Sequence, residues 1–254
     1  MNHGDTKKIS LRWRHLFSVV PWLVLAASTL AADLPPGVDP EKLGQALAEQ
    51  LRSAAPSEAA EFTGVLKIRK LGFMNSVPIA CKIAARPDGW TVTYETKGGG
   101  NQPPQRLAIK HVLNKPNVYL YAEGKGELRE LARHELNLPM AGSDFWLMDL
   151  GLDFLHWPQQ RVTEFEMRRS RSCRILESRD PKPVPGGYAR VLSWVDVETD
   201  GILLAEAYDA SNTKLKNFKV GSFKKVKGKY ELQDMEIENP KAKTRTKLEF
   251  NLEK

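Results

Sequence analysis

The chain has 254 residues, 41% hydrophobic and 27% charged, with a mean hydropathy of −0.42. These values exclude a multi-span membrane protein and describe a water-soluble one with enough apolar residues for one substantial core, or two. The formal net charge of +7 falls to a mild excess once residues 1–32 are set aside, which leaves 34 basic residues against 30 acidic ones, so charge does not single out a nucleic-acid partner.

At the N-terminus Lys7, Lys8, Arg12 and Arg14 precede an uncharged run, LFSVVPWLVLAASTLAA, from Leu16 to Ala32. A basic start, an apolar middle and a small-residue end form a secretory signal peptide, with cleavage expected after Ala31 or Ala32. An uncleaved anchor is the alternative, but the run is short against the about 20 residues a bilayer core requires, and Pro21 stands at its middle. No cysteine closes the run to accept a lipid. Residues 33–254 are therefore expected as a single domain, free in an exported compartment, most simply a bacterial periplasm.

The next element is a helix over 41–55, with Leu43, Ala46, Leu47 and Leu51 on one stripe, Asp39 as N-cap and Pro40 at the first turn. From Phe62 onward the pattern changes to short alternating runs separated by turn residues. They are FTGVLKIRKL, VPIACKIAAR, WTVTYETK, QRLAIKHVL and NVYLYAEG, then RVTEFEMRR, SCRILESR, GYARVLSWVDVE, ILLAEAYDA, KLKNFKVGSFKKV, KYELQDMEIEN and TRTKLEFNLEK. About eleven or twelve strands in regular succession predict a mainly β protein, a large antiparallel sheet that curls into a half-open barrel with a few helices against it. Strands such as GYARVLSWVDV carry apolar residues on both faces, so both faces are partly covered.

Cys81 and Cys173 each fall in a strand. Export permits a disulfide between them if their strands are neighbours, and two small buried hydrophobes are the equal alternative. No cysteine or histidine cluster has metal-ligand spacing, and no cofactor is expected. The basic stretches RRSRSCR (168–174) and KKVKGK (224–229) lie in alternating segments without interleaved aromatics, which favours a solvated strand face over a nucleic-acid or lipid-headgroup surface.

Between the two strand series lies GSDFWLMDLGLDFLHWP, residues 142–158, with two tryptophans, two phenylalanines and four leucines. On a helical wheel Asp149, Asp153 and His156 share a narrow polar arc, Ser143 is a candidate cap, and almost everything else is apolar. Such a segment is either a core helix plugging the mouth of the sheet or a movable plug over an apolar cavity. Catalysis is not expected. The five histidines, at 3, 15, 111, 134 and 156, are dispersed, GxSxG and HExxH motifs are absent, and the Asp149/Asp153 pair fits a solvated or capping role better than acid–base chemistry.

GSDF at 142–145 followed by Asp149–Leu150 resembles the GSDF-and-EDL signature of the outer-membrane lipoprotein-sorting family, the LolA-like periplasmic carriers. The similarity continues through CRILES, ARVLSWVD and the ordered C-terminal series ETDGILLAEAYD, the Lys-rich strand, MEIENP and the Thr-rich last strand, from about Glu61 to Phe250. The chain departs from the signature at Met148, where the family has an acidic residue, and at Trp146 and Leu147, where it has polar ones. The resemblance implies a half-open barrel whose helical lid covers a cavity for the acyl chains of lipoproteins or lipids. Phe145, Trp146, Leu147, Leu150, Phe154, Leu155 and Trp157 are then the candidate lid contacts, and Leu192, Trp194, Leu204 and Tyr208 the candidate cavity wall. It further implies a monomeric carrier with an inner-membrane exporter and an outer-membrane acceptor as partners. The competing expectation is a non-catalytic envelope sensing or interaction module, or an accessory lipid-binding subunit of an exporter. The continuous strand series ending at EFNLEK favours the carrier over a sensor with a second domain.

Overall fold

A computed structural model describes residues 34–252 apart from 57, 99–101 and 227–228. The expected leader, 1–32, lies outside the described residues. Helix α1 spans Pro40–Arg52, where the Asp39 carboxylate accepts the N–H groups of Glu41 and Lys42 at 3.0 and 3.2 Å, the N-cap arrangement that spares two otherwise unpaired donors. Its inward stripe differs by one position from the expected one: Ala46 is exposed, and Gly44, Leu47 and Ala48 are buried. The reason is close approach. A Cβ on Gly44 would lie 2.3 Å from the Cα of Arg161, so glycine lets the helix rest directly on strand backbone.

All twelve alternating runs are strands. They form β1 (Ala60–Lys70), β2 (Phe73–Arg86), β3 (Gly89–Thr96), β4 (Gln105–Val112) and β5 (Val118–Glu123) before the aromatic segment. After it come β7 (Gln159–Arg168), β8 (Arg171–Arg179), β9 (Arg190–Asp196), β10 (Ile202–Tyr208), β11 (Lys214–Val226), β12 (Lys229–Asn239) and β13 (Thr244–Asn251). The alternation does not reveal β6 (Arg129–Glu130), a two-residue edge. One antiparallel sheet results, in the order β6-β5-β4-β3-β2-β1-β13-β12-β11-β10-β9-β8-β7. β6 and β7 are consecutive in sequence yet occupy opposite edges of this open sheet. The crossover between them contributes buried residues to the same core as the strands.

Register separates two environments. Leu66 faces Leu248, Val92 faces Ile109 and Tyr94 faces Leu107 across neighbouring strands, and these residues join α1 and the crossover in the main core. The opposite face carries ion pairs such as Lys67–Glu249 (2.5 Å) and Lys219–Glu236 (2.8 Å), each contributing at most about 1 kcal/mol. The basic run at 168–174 belongs to this network, since Arg168 reaches Glu166 at 3.0 Å, Arg171 pairs with Asp196 and Arg174 with Asp200.

The cysteines are free and buried. Cys81 on β2 sits in the main core, where burial pushes its thiol up to about 12. Cys173 on β8 belongs to a separate cluster with Ile175 and Trp194. β1, β13, β12, β11, β10 and β9 stand between their strands, so the disulfide that adjacent strands would have allowed is ruled out by sheet order.

One half-buried histidine has a consequence for stability. His111 on β4 stacks on Trp90 of β3, with ring centroids 4.9 Å apart and planes at 14°, and burial lowers its pKa to about 4. The unfolded chain, titrating near 6.5, binds the extra proton first, so this contribution is complete above about pH 6.5 and is lost as pH falls toward about 4. His156, lowered to about 4 by burial and then by Arg52, acts in the same direction. His111→Phe keeps the ring stack and should reduce the stability lost between about pH 7 and about pH 5 by about 1–2 kcal/mol, read from melting curves at the two pH values.

Candidate functional site

The crossover is not the continuous helix of the wheel. A small hairpin forms first: the Met140 N–H donates to the Phe145 carbonyl at 2.8 Å and the Leu147 N–H to the Leu138 carbonyl at 3.0 Å. Ala141 and Gly142 turn its tip at φ of +50° and +67°, a left-handed conformation that glycine adopts freely. A single helical turn, α2 (Leu147–Leu150), follows, then Leu152 at φ +49° and a 3-10 turn over Asp153–His156. Ser143 does not cap a helix; its hydroxyl oxygen accepts the Phe145 N–H at 3.1 Å. The Asp149 carboxylate instead accepts the Trp146 N–H at 2.7 Å. A nearly all-apolar stretch has little periodicity, and side chains that close local turns therefore decide its path.

Polar groups from the sheet and from the loop before β5 hold this crossover at several points. Asp144, buried, receives the hydroxyls of Thr244 (2.5 Å) and Thr246 (2.9 Å) on its carboxylate and donates its own N–H to Thr246 at 2.9 Å. Two of the sequence features that carried the resemblance, GSDF and the Thr-rich last strand, thus bind one another. Gln105 accepts the Ala141 N–H at 2.6 Å, Asn117 donates to the Gly151 carbonyl at 2.8 Å, and Gln160 donates to the carbonyls of Phe154 and Trp157, both at 2.9 Å. Of the expected lid contacts, Phe145, Leu147, Phe154, Leu155 and Trp157 are buried, and Trp146 and Leu150 are half-buried against the same core.

Beneath the crossover lies a cavity of about 400 Å³. Leu150, Leu152 and Phe154 line it from the crossover and Leu51 from α1. The sheet supplies Val191, Ile202, Ala205, Ala207, Phe218, Val220, Met235 and Ile237 from β9 to β12. Leu150 and Phe154 are the two expected lid contacts that line it; Phe145, Trp146, Leu147, Leu155 and Trp157 do not.

The expected wall is corrected by register. Leu192, Trp194 and Leu204 pack in the outer cluster with Cys173, while Tyr208 lies under the Arg190 guanidinium at 4.3 Å. Val191, Ala205 and Ala207 occupy the cavity face instead. Side chains alternate with period two, so a one-residue error in phase exchanges the faces of a whole strand. β10 also changes phase at a bulge between Ile202 and Leu204.

One end of the cavity is polar. Lys216 on β11, only 3% exposed, donates from Nζ to the Asp144 carbonyl and lies 4.5 Å over the Trp146 ring. Trp146 stacks on Tyr188 at 4.6 Å, and the Tyr188 hydroxyl donates to Asp149 at 3.0 Å. Burial lowers the Lys216 pKa, against the opposing pull of Asp149 and Asp144. Burial also raises that of Asp149, opposed by Lys216. Each charge compensates the other's loss of water. Chemically, the arrangement offers an apolar chamber for hydrocarbon, closed at one end by a satisfied polar knot.

Sequence reasoning missed Lys216 as part of the site. The available signal was that Phe218 and Val220 follow it at period two.

A protein-family model described as "Uncharacterized protein" matches residues 104–252. Comparison with the curated proteins gives no match. Three solved structures share the fold at low identity. A DUF1329 family protein from Desulfovibrio piger superposes with a TM-score of 0.68 at 18% identity, covering 84% of this chain and 92% of that one. A "putative outer membrane lipoprotein-sorting protein domain" from Vibrio parahaemolyticus gives 0.71 at 15%, covering 83% and 91%. A LolA superfamily protein from Nitrosomonas europaea gives 0.61 at 13%, covering 85% and 93%. The fold is therefore LolA-like, as the order of motifs implied.

Proposed function

The chain belongs to the family whose model spans residues 104–252, and from its LolA-like fold we propose that it is a periplasmic carrier sheltering the acyl chains of a lipid or lipoprotein. The observation that carries this reading is the cavity of about 400 Å³ under Leu150 and Phe154, within the roughly 300–1,000 Å³ typical of small-molecule sites. Each methylene moved out of water contributes about 0.8 kcal/mol, so an acyl chain crossing an aqueous space gains from such a shelter. Binding and release need no catalyst, and residues 33–254 act as one carrier domain after export. The donor is an inner-membrane exporter and the acceptor lies in the outer membrane.

Mass spectrometry of the organic extract tests this. Protein is purified from the periplasm without detergent, with an unrelated exported protein as blank. A stoichiometric acylated species is the expected result. An extract no richer than the blank would overturn the acyl-carrier reading and direct attention to a protein partner.

A further inference from the structure

The β1–β2 hairpin ends in side chains that contribute nothing to the core. Leu71, Phe73 and Met74 are 85%, 81% and 72% exposed, the largest exposures among the large hydrophobics of the described residues. Their position is built, since Lys70 pairs with Phe73 across a two-residue turn whose central residues, Leu71 and Gly72, both have positive φ. Turns of this sense favour asparagine, aspartate or glycine at the first position. Leucine there weakens the turn and exposes apolar surface, which local folding does not explain. β2 extends past its other neighbour as well, because pairing with β3 begins only at Ile79, leaving Phe73 to Pro78 with a partner on one side.

Cations flank this tip on its β1 and β13 side. Arg69 and Lys70 precede it, and Arg69 faces Arg245 on β13. That register brings the turn after β12, with exposed Lys241 and Lys243, alongside the hairpin turn. The acidic groups of this corner, Glu236 and Glu238, lie against Lys219 at 2.8 and 3.1 Å, with Arg245 3.8 Å from Glu236. Lys70 also donates to the Gly142 carbonyl at 2.6 Å, which ties the hairpin to the crossover.

We propose that this tip is a membrane-docking element, placing Leu71, Phe73 and Met74 at the acyl boundary of an anionic phospholipid bilayer while Arg69, Lys70, Lys241, Lys243 and Arg245 meet its headgroups. An apolar point beside a cluster of one sign of charge matches the two layers of such a surface, and the two attractions reinforce each other. The inference does not depend on what the cavity holds.

The test is co-sedimentation of the exported chain with vesicles of equimolar phosphatidylglycerol and phosphatidylcholine, beside pure phosphatidylcholine. Wild type should pellet with the anionic vesicles and less so in high salt. Leu71→Asn combined with Phe73→Ser should lower the vesicle affinity at least about tenfold. Because asparagine suits the turn, this variant should melt no lower than wild type. Phe73→Trp should show blue-shifted emission on anionic vesicles and quenching by brominated acyl chains. Wild type remaining in the supernatant, the double variant pelleting like wild type, or an unquenched Trp at position 73 would each overturn the proposal and leave the tip as a protein contact.

Discussion

On the proposed acyl-carrier reading, replacing Ala205 and Ala207 together with leucine should strip the protein of acyl cargo while leaving it folded. Both alanines lie on the cavity face of β10, where Ala205 faces Ser193 and Phe218, and Ala207 faces Val191 and Lys216. Each leucine adds an isopropyl group pointing into the space that hydrocarbon would take. Burying that group contributes about 0.8 kcal/mol per carbon, and imperfect fit costs about 1–3 kcal/mol, so the net effect on stability is near zero. The readouts are the acylated species recovered per protein and the melting temperature. Cargo retained at wild-type stoichiometry in a protein that still folds would mean that the acyl chain lies elsewhere. Phe154 cannot supply this test, because it is both cavity lining and buried core, and its removal would lower binding and stability together.

Asp144→Ala should produce a large loss of stability although it removes no apolar contact of the crossover. The carboxylate receives hydroxyls from Thr244 and Thr246, and both belong to the last strand of the chain. Hydrogen bonds to a charged group contribute about 1.5–3 kcal/mol each, with partial compensation when a hydroxyl can turn to another partner, so a total of about 3 kcal/mol is expected. For a chain of this size that is a fall of about 6–12 °C in melting temperature, read by calorimetry. Thr246→Val keeps the shape but removes both the donor to the carboxylate and the acceptor of the Asp144 N–H, and should also lower the melting temperature. An unchanged melting temperature for Asp144→Ala would show that the crossover is held by its apolar contacts alone. The effect should reach the cavity too, because the Asp144 carbonyl is the acceptor for the buried Lys216. Loosening the crossover hairpin leaves that ammonium group without its partner.

The contrast between these two sites shows why some of the molecule could be read in advance. Strand periodicity, turn residues and the Asp39-Pro40 cap are local properties, and they determined α1 and twelve of the strands. The order of short motifs from GSDF to the Thr-rich strand likewise pointed to the LolA-like fold, and the structure supplies the physical link between them through Asp144 and Thr246. β6 escaped because two residues carry no period.

What tertiary structure alone decided is which way things face and what touches what. Alternation in β9 and β10 separates Val191 from Leu192 and Ala207 from Tyr208, but it cannot say which set looks inward until pairing and the β10 bulge fix the phase. The cysteines illustrate the same limit, since neighbourhood in a sheet of this width depends on strand order, and the order places six strands between theirs. The path of residues 142–158 was also beyond sequence, because an apolar stretch takes its shape from the partners that hold it: Gln160 lies just past its end, but Gln105, Asn117, Lys216, Thr244 and Thr246 are distant in the chain. Composition and spacing determined the elements and their succession; the cavity exists only where long-range pairing brings those elements together.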